Sequence, residues 1–251
     1  MVSDISEFSY GFALTSELLE AWGLSGLGAP IFPTQVSEGS EGGYDVKLPG
    51  DPVFLQFKRS DRLTTNRALD APSYGLPYFR FQLPASRHSK QHQLLLDLEA
   101  SPEFVLYAAP RFSKPEELSA AFTAGAVFKR SFLVAPSMIG AITDARPHSI
   151  SFGLLPGCFT FRSEARIVEA STAEETLSVM RQVRESRQRS NSSLRDLGDK
   201  LVEIFVAHQE DTAQRQLANH LRQASENRSS MDYAQFAART LFGCELLFLG
   251  P

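Results

Sequence analysis

The sequence predicts an α/β fold with a C-terminal helical region. Short apolar or alternating stretches, typical of strands, alternate with amphipathic stretches up to about residue 168. Beyond about residue 172 the pattern is helical until "CELLFL" at 244–249. With 251 residues, 43% of them hydrophobic, the chain can bury a sizeable core. These observations predict an α/β domain over residues 1–168 and a helical region over 169–251.

The first predicted element is a helix over residues 14–22. Leu14, Leu18, Ala21 and Trp22 recur at the spacing of one helical stripe. A Gly- and Pro-rich loop follows. Two predicted strands then flank a "PGDP" turn signal, "YDVKL" at 44–48 and "VFLQFK" at 53–58.

Further strands and helices alternate along the rest of the predicted α/β domain. The predicted strands are "YFRFQL" at 78–83, "FVLYAAP" at 104–110, "AVFKRSFLVAP" at 126–136 and "HSISFGLL" at 148–155. The run at 104–110 is continuously apolar, which predicts a strand buried on both faces. The predicted helices are 90–100 and 114–125, and in the C-terminal region 171–188, 193–210, 211–227 and 232–242.

The pair of strands around "PGDP" carries the polar residues that indicate a metal-binding site. An antiparallel hairpin closed by Pro49–Pro52 places Leu48 opposite Val53 and Asp45 opposite Gln56. Side chains alternate between the two faces, so Asp45, Gln56 and Lys58 share a polar face. Directly opposed residues have Cβ atoms about 4.5–5.5 Å apart, which lets the Asp45 and Gln56 oxygens converge on one small cation. The competing interpretation is a solvated outer face of the hairpin.

A cation at this position is expected to be Mg²⁺ or Mn²⁺, because the converging atoms are oxygens. A bound metal lowers the pKa of its water and neutralises charge on a reacting phosphate, and a neighbouring lysine can stabilise the same charge. Glu17 lies on the apolar stripe of the first helix, where a carboxylate is costly unless it pairs or binds a cation. The alternative for Glu17 is an ordinary surface carboxylate.

This arrangement resembles the PD-(D/E)xK nuclease superfamily over about residues 10–135. The matching residues are Glu17 in "TSELLEAW", Asp45 in "GGYDVKL", and Gln56 with Lys58 in "LQFKRS". The sequence departs from the family pattern in two ways: no proline precedes Asp45, and Gln56 replaces the commoner acid.

The resemblance implies a restriction-endonuclease-like fold, with a mixed central sheet flanked by helices. It also implies a metal-dependent endonuclease that hydrolyses phosphodiester bonds. It implies that Glu17, Asp45, Gln56 and Lys58 are catalytic, the first three also holding the Mg²⁺ or Mn²⁺. The implied substrate is DNA rather than RNA, and the implied context is bacterial antiviral defence or DNA processing. The rival hypothesis is a catalytically inactive nuclease-like module that binds nucleic acid or a partner protein, which the Gln56 substitution favours.

Two further sets of polar residues have both a functional and a purely structural interpretation. Gln91 and His92 lie where a helix of the family contributes polar residues to the site, but such residues also simply begin an amphipathic helix. Arg181, Arg184 and Arg187 recur every three residues, so one helix edge could follow a phosphate backbone. The alternative is an exposed helix end. The C-terminal helices are expected to mediate homodimerisation, binding of a partner protein or binding of nucleic acid.

Composition and the absence of certain motifs exclude several other classes of protein. The net charge of −4 excludes a surface coated in basic charge, so nucleic acid must meet a local patch. No apolar run reaches the length of a membrane helix, and the first residues lack signal-peptide order. The two cysteines and five histidines show no metal-ligand spacing. No phosphate-binding glycine loop, dinucleotide fingerprint or nucleophile elbow is present, and a cytoplasmic protein without membrane contact is expected.

Overall fold

The computed structural model describes the greater part of the chain. It covers residues 1–21, 51–65, 74–85, 90–100, 104–155, 158–161, 166–169, 172, 174–176, 178–179, 182, 194–208, 212–224, 229–242 and 244–249. Asp45 and the three arginines Arg181, Arg184 and Arg187 therefore lie outside the described residues.

Helices and strands alternate through the described part of the chain. The helices are α1 (Glu7–Ala21), α2 (Gln91–Ala100), α3 (Pro115–Thr123), α4 (Pro136–Ile139), α5 (Leu194–Ala207), α6 (Thr212–Ala224) and α7 (Ser230–Phe242). The strands are β1 (Asp51–Phe57), β2 (Asp61–Leu63), β3 (Tyr78–Leu83), β4 (Phe104–Pro110), β5 (Ser131–Val134), β6 (His148–Phe152), β7 (Cys158–Phe161), β8 (Arg166–Glu169) and β9 (Glu245–Leu249). None of these helices is long and apolar enough to cross a membrane.

The first sheet is mixed, with strand order β5-β4-β1-β9. β1 runs parallel to β4 and antiparallel to β9, while β5 is antiparallel to β4. The parallel step from β1 to β4 passes through β2, β3 and α2. The apolar run of β4 is buried from Val105 to Pro110, so the prediction of a strand covered on both faces is confirmed.

The second sheet is antiparallel, with strand order β2-β3-β6-β7-β8. Its aromatic face packs on the first sheet, and the rings of Phe132 on β5 and Phe152 on β6 stack at 4.3 Å. The prediction of an α/β fold is thus confirmed, but the described strands form two sheets where one was predicted. The reason is that β3 and β6 carry large aromatic side chains on one face: Phe81 packs against Tyr107 of β4 and Phe132 of β5.

The predicted hairpin pairing is wrong where the structure describes it. Over Val53–Leu55 both edges of β1 are occupied, one by β4 and the other by β9. No edge remains at these residues for the predicted partners Leu48 and Val46. A local turn signal favoured the neighbouring segment, whereas β1 is a central strand whose Phe54, on the same face as Gln56, is fully buried.

The C-terminal region consists of helices followed by a strand, which lies in the "CELLFL" run where the helical pattern ends. α5, α6 and α7 confirm the predicted helices at 193–210, 211–227 and 232–242, while the predicted helix at 171–188 falls mostly outside the described residues. β9 then returns to pair along β1. Residues from the predicted helical region therefore contribute a strand to the sheet of the predicted α/β domain.

Close packing of α5 on α7 gives a first testable prediction. At Gly198 a Cβ atom would lie inside the contact distance of the Tyr233 ring, which is buried and held by a hydrogen bond of 3.0 Å from its hydroxyl to Asp199. We expect Gly198→Ala to lower the free energy of unfolding by about 1–2 kcal/mol, because overpacking costs more than the helix propensity of alanine returns. Urea denaturation measures the change.

Gly153→Ala is the matched control for this change. A Cβ atom there would meet Tyr74 at 3.4 Å, an ordinary contact. Equal free energies of unfolding for the wild type and Gly198→Ala would contradict the close approach of the two helices.

Candidate active site

The side chains of Gln56, Lys58 and Gln91 meet at the carboxyl end of β1. Gln91 Oε1 accepts a hydrogen bond from Lys58 Nζ at 3.0 Å. Gln91 Nε2 donates to Gln56 Oε1 at 2.7 Å and to the Phe242 carbonyl at 3.1 Å. Strand alternation puts Gln56 and Lys58 on the same face, and Gln91 begins the helix that covers that face. We call these three residues the Gln–Lys–Gln cluster.

Lys58 is the charged member of the cluster and is only partly exposed. Burial lowers the pKa of its ammonium, and the carboxylate of Glu7 opposes that shift. The Lys58 Nζ atom lies 5.8 Å from the centre of the Tyr107 ring, within the range of a cation–π contact. A cation that is partly stripped of water interacts more strongly with an incoming anion than a solvated surface lysine does.

Gln56 is 7% exposed, so its amide must be satisfied within the protein. Its Oε1 atom accepts from Gln91, and its Nε2 atom donates to the Phe57 carbonyl at 3.2 Å. The backbone N–H of Lys58 continues the pairing with β4 by donating to the Ala108 carbonyl at 2.9 Å. The first residues beyond β1 are thereby fixed to the neighbouring parallel strand.

His92, predicted as an accessory residue with Gln91, uses both ring nitrogens in internal hydrogen bonds. Nε2 lies 2.8 Å from the Gly140 carbonyl, and Nδ1 lies 3.0 Å from the Tyr107 hydroxyl. A carbonyl can only accept, so Nε2 carries the proton and Nδ1 accepts from the tyrosine. Burial lowers the pKa of His92, which keeps the ring neutral. Its position supports Tyr107 beneath Lys58 and leaves neither nitrogen for a phosphate.

Glu17, predicted as a metal ligand, lies on the other face of the first sheet. Its helix α1 packs on the Phe57 side of β1: the Tyr10 and Phe57 rings are 5.8 Å apart, and Gly11 lies against the Phe57 ring. Because Phe57 alternates with Gln56 and Lys58, α1 and the Gln–Lys–Gln cluster are on opposite faces. The structure therefore does not bring Glu17 to Gln56 and Lys58.

The carboxylate of Glu17 has a clear structural use where it lies. Its two oxygens accept backbone hydrogen bonds from Val127 at 2.7 Å and from Phe128 at 2.8 Å. These residues lead into β5. Glu17 thus satisfies two backbone donors that have no place in a helix or strand.

Glu7 is the acidic residue near Lys58 that sequence reasoning missed. It begins α1, and its Oε1 atom accepts a hydrogen bond of 3.2 Å from the backbone N–H of Arg59. Its negative charge therefore acts on the end of β1, although the residue is far away in sequence. No motif spacing pointed to Glu7, because only the tertiary fold brings the start of α1 to this strand end.

The donor set of the described residues does not by itself make a magnesium site. Within the described ranges, no cluster of three or more His, Cys, Asp or Glu side chains could hold a metal ion. Gln56 offers one neutral oxygen, which already accepts from Gln91. A divalent cation beside Gln56 would need a carboxylate, and Asp45 is the residue that the sequence offers for it.

Comparison with known proteins gives no relative for this chain. No protein-family model, no curated protein and no solved structure matches it.

Proposed function

We propose that this chain is a metal-dependent nuclease of restriction-endonuclease-like fold that hydrolyses phosphodiester bonds in DNA, in bacterial defence or DNA processing. The observation that carries the proposal is the Gln–Lys–Gln cluster. A Gln-x-Lys pair presents its amide and its ammonium on one face of a strand, and a glutamine from the next helix joins them at 2.7 and 3.0 Å.

The place of the cluster in the sheet supports the same proposal. Lys58 directly follows β1, whose neighbour β4 runs in the same direction after the crossover through α2. In α/β sheets, ligands commonly bind beyond the carboxyl ends of parallel strands, where the loops leave a crevice. A phosphate approaching this end of β1 meets a cation whose position is fixed by Gln91.

Each member of the cluster has a defined part in the proposed reaction. Lys58 stabilises the negative charge that grows on the phosphorus oxygens as the nucleophile attacks. Gln91 fixes the relative positions of the Lys58 ammonium and the Gln56 amide through its two hydrogen bonds to them. Asp45 and Gln56 would hold Mg²⁺ or Mn²⁺, which supplies an activated water and offsets phosphate charge.

A second candidate function is a nuclease-like module that binds nucleic acid or a partner protein without cutting. Two observations favour it. The Glu17 carboxylate is occupied by backbone amides on the other face of the sheet, and the Gln56 oxygen is occupied by Gln91. With fewer negative charges beside it, a divalent cation binds more weakly.

One experiment separates the two candidates. Purified wild-type protein is incubated with plasmid and linear DNA in Mg²⁺, in Mn²⁺ and in EDTA, beside Asp45→Asn. The nuclease predicts cleavage by the wild type with metal only, and loss of cleavage in Asp45→Asn. DNA retention in a gel-shift assay without cleavage, and without Mn²⁺ binding in calorimetry, would instead identify the non-cutting module.

Replacing the neutral amide of Gln56 by a carboxylate is predicted to increase the affinity for the metal. We expect Gln56→Glu to bind Mn²⁺ roughly 10-fold more tightly than the wild type, because a carboxylate adds one negative charge beside the proposed cation. Isothermal titration calorimetry measures the dissociation constants. Gln82→Glu, a change at an exposed residue of β3, is the control for added charge. Unchanged Mn²⁺ affinity in Gln56→Glu would remove Gln56 from the proposed ligand set.

A further inference from the structure

A groove between α1 and α3 lies on the side of the first sheet away from the Gln–Lys–Gln cluster. It has a volume of about 260 Å³. Its apolar lining comes from the segment before α1, from α1 and from α3, and consists of Ile5, Phe12, Ala13, Pro115, Leu118 and Phe122. Ile5 and Ala13 are buried and form its floor.

Two aromatic rings that contact each other line the groove and remain partly open to solvent. Phe12 is 40% exposed and Phe122 is 44% exposed, and their ring centres are 6.4 Å apart. Phe8, one helical turn before Phe12, is 60% exposed. Large apolar side chains that line a groove together mark an interaction site more clearly than scattered ones do.

The charged residues that line the groove and the depression beside it, Asp4 and Glu116, are both acidic. Residues 1–21 contain Asp4, Glu7, Glu17 and Glu20 and no lysine or arginine. Asp4 lines the groove itself. A shallower depression continues across α3 from the shared residues Pro115 and Ser119, and Glu116 lines it. The basic residue Lys114 directly precedes α3, whose first turn carries the acidic Glu116 and Glu117.

From this combination we propose that the groove binds an amphipathic helix of a partner protein, with lysine or arginine along its polar edges. Apolar side chains at the i, i+4 and i+7 positions of that helix pack on the exposed faces of Phe12 and Phe122 and into the groove beside them. Its basic residues face Asp4 and Glu116. A second copy of this chain fits less well, because a symmetric pairing would bring the acidic α1 surfaces together.

The proposed groove is independent of the proposed nuclease function. α1 packs on the Phe57 side of β1, whereas Lys58 faces α2. A partner helix and a nucleic acid can therefore be bound at the same time. A substitution that abolishes binding of the partner helix therefore need not affect the nuclease activity, and the reverse also holds.

The test uses the full chain and two designed helical peptides. Both carry the same leucine stripe, one with lysines and the other with glutamates on the polar edges. Fluorescence anisotropy of the labelled lysine peptide is expected to show binding to the wild type, roughly 10-fold weaker binding to Phe122→Ser and to Ser119→Arg, and weakening with added salt. Leu155→Ser, a change at a residue that is 79% exposed, is the matched control and should bind as the wild type does.

Several outcomes would overturn the proposal. Equal binding of the glutamate peptide would show that charge does not select the partner. Unchanged affinity in both Phe122→Ser and Ser119→Arg would place the peptide elsewhere. Self-association in sedimentation velocity that Phe122→Ser abolishes would make a second copy the occupant. Thermal unfolding checks that the variants are folded, and DNA cleavage by Phe122→Ser is expected to equal that of the wild type.

Discussion

Lys58→Met is expected to reduce metal-dependent DNA cleavage by roughly 10²–10³-fold, the usual cost of removing one charge-stabilising group from an active site. Methionine keeps the length of the side chain and its contact with Tyr107 but removes the ammonium that Gln91 holds. Single-turnover cleavage of a labelled duplex measures the rate. Lys129→Met, a change at an exposed lysine, is the matched control and should cut at the wild-type rate.

The pH dependence of the same reaction is a second readout for Lys58. Its pKa is lowered from the ordinary 10.5 by burial, so the ammonium loses its proton at a lower pH than a surface lysine does. Cleavage that needs the charged form should therefore decline as the pH rises toward 10.5, and Lys58→Arg should shift the decline to higher pH. Full activity of Lys58→Met would refute the proposed part of Lys58.

Glu17→Ala is expected to lower the free energy of unfolding by about 2–3 kcal/mol while leaving cleavage per folded molecule unchanged. The substitution leaves the backbone N–H groups of Val127 and Phe128 without their acceptor, and each such orphaned donor costs about 1–3 kcal/mol. Urea denaturation measures the stability, and cleavage is assayed where both proteins are fully folded.

Glu20→Ala is the control for removing an acid from α1, because Glu20 is exposed and its loss should change stability by less than about 0.5 kcal/mol. The opposite pattern would refute the structural role of Glu17. If Glu17→Ala abolished cleavage and kept the stability of the wild type, the carboxylate would be a metal ligand, as the sequence resemblance implies.

The contrast between Glu17 and Gln91 shows what the sequence could predict about the site. The spacing of Gln56 and Lys58 fixes a shared strand face, and both side chains do face Gln91. Helical periodicity correctly predicted that the Glu17 side chain points toward the interior of the fold. Periodicity gives a direction around the helix axis, but it does not say which face of a sheet the helix will cover.

The strands show a similar limit for the fold. Runs such as Phe104–Pro110 and Tyr78–Leu83 were predictable, because their apolar pattern records how they are buried. The partner of each strand was not predictable in the same way. The turn signal at Pro49–Pro52 favoured a local hairpin, whereas Val53–Leu55 pairs with β4 and β9. β2, β7 and β8 were missed, because they are three or four residues long and, unlike the equally short β5, do not belong to a longer predicted strand.

The pairing of β1 with β9 has a consequence for how the chain acquires its shape during synthesis. Asp51 pairs with Leu249, so one side of a central strand is completed only after nearly all of the intervening polypeptide has left the ribosome. Until then that side exposes unpaired backbone groups flanked by Val53, Phe54 and Leu55, which can pair with other nascent chains. The protein is therefore expected to depend on chaperones that shield this strand until its last partner emerges.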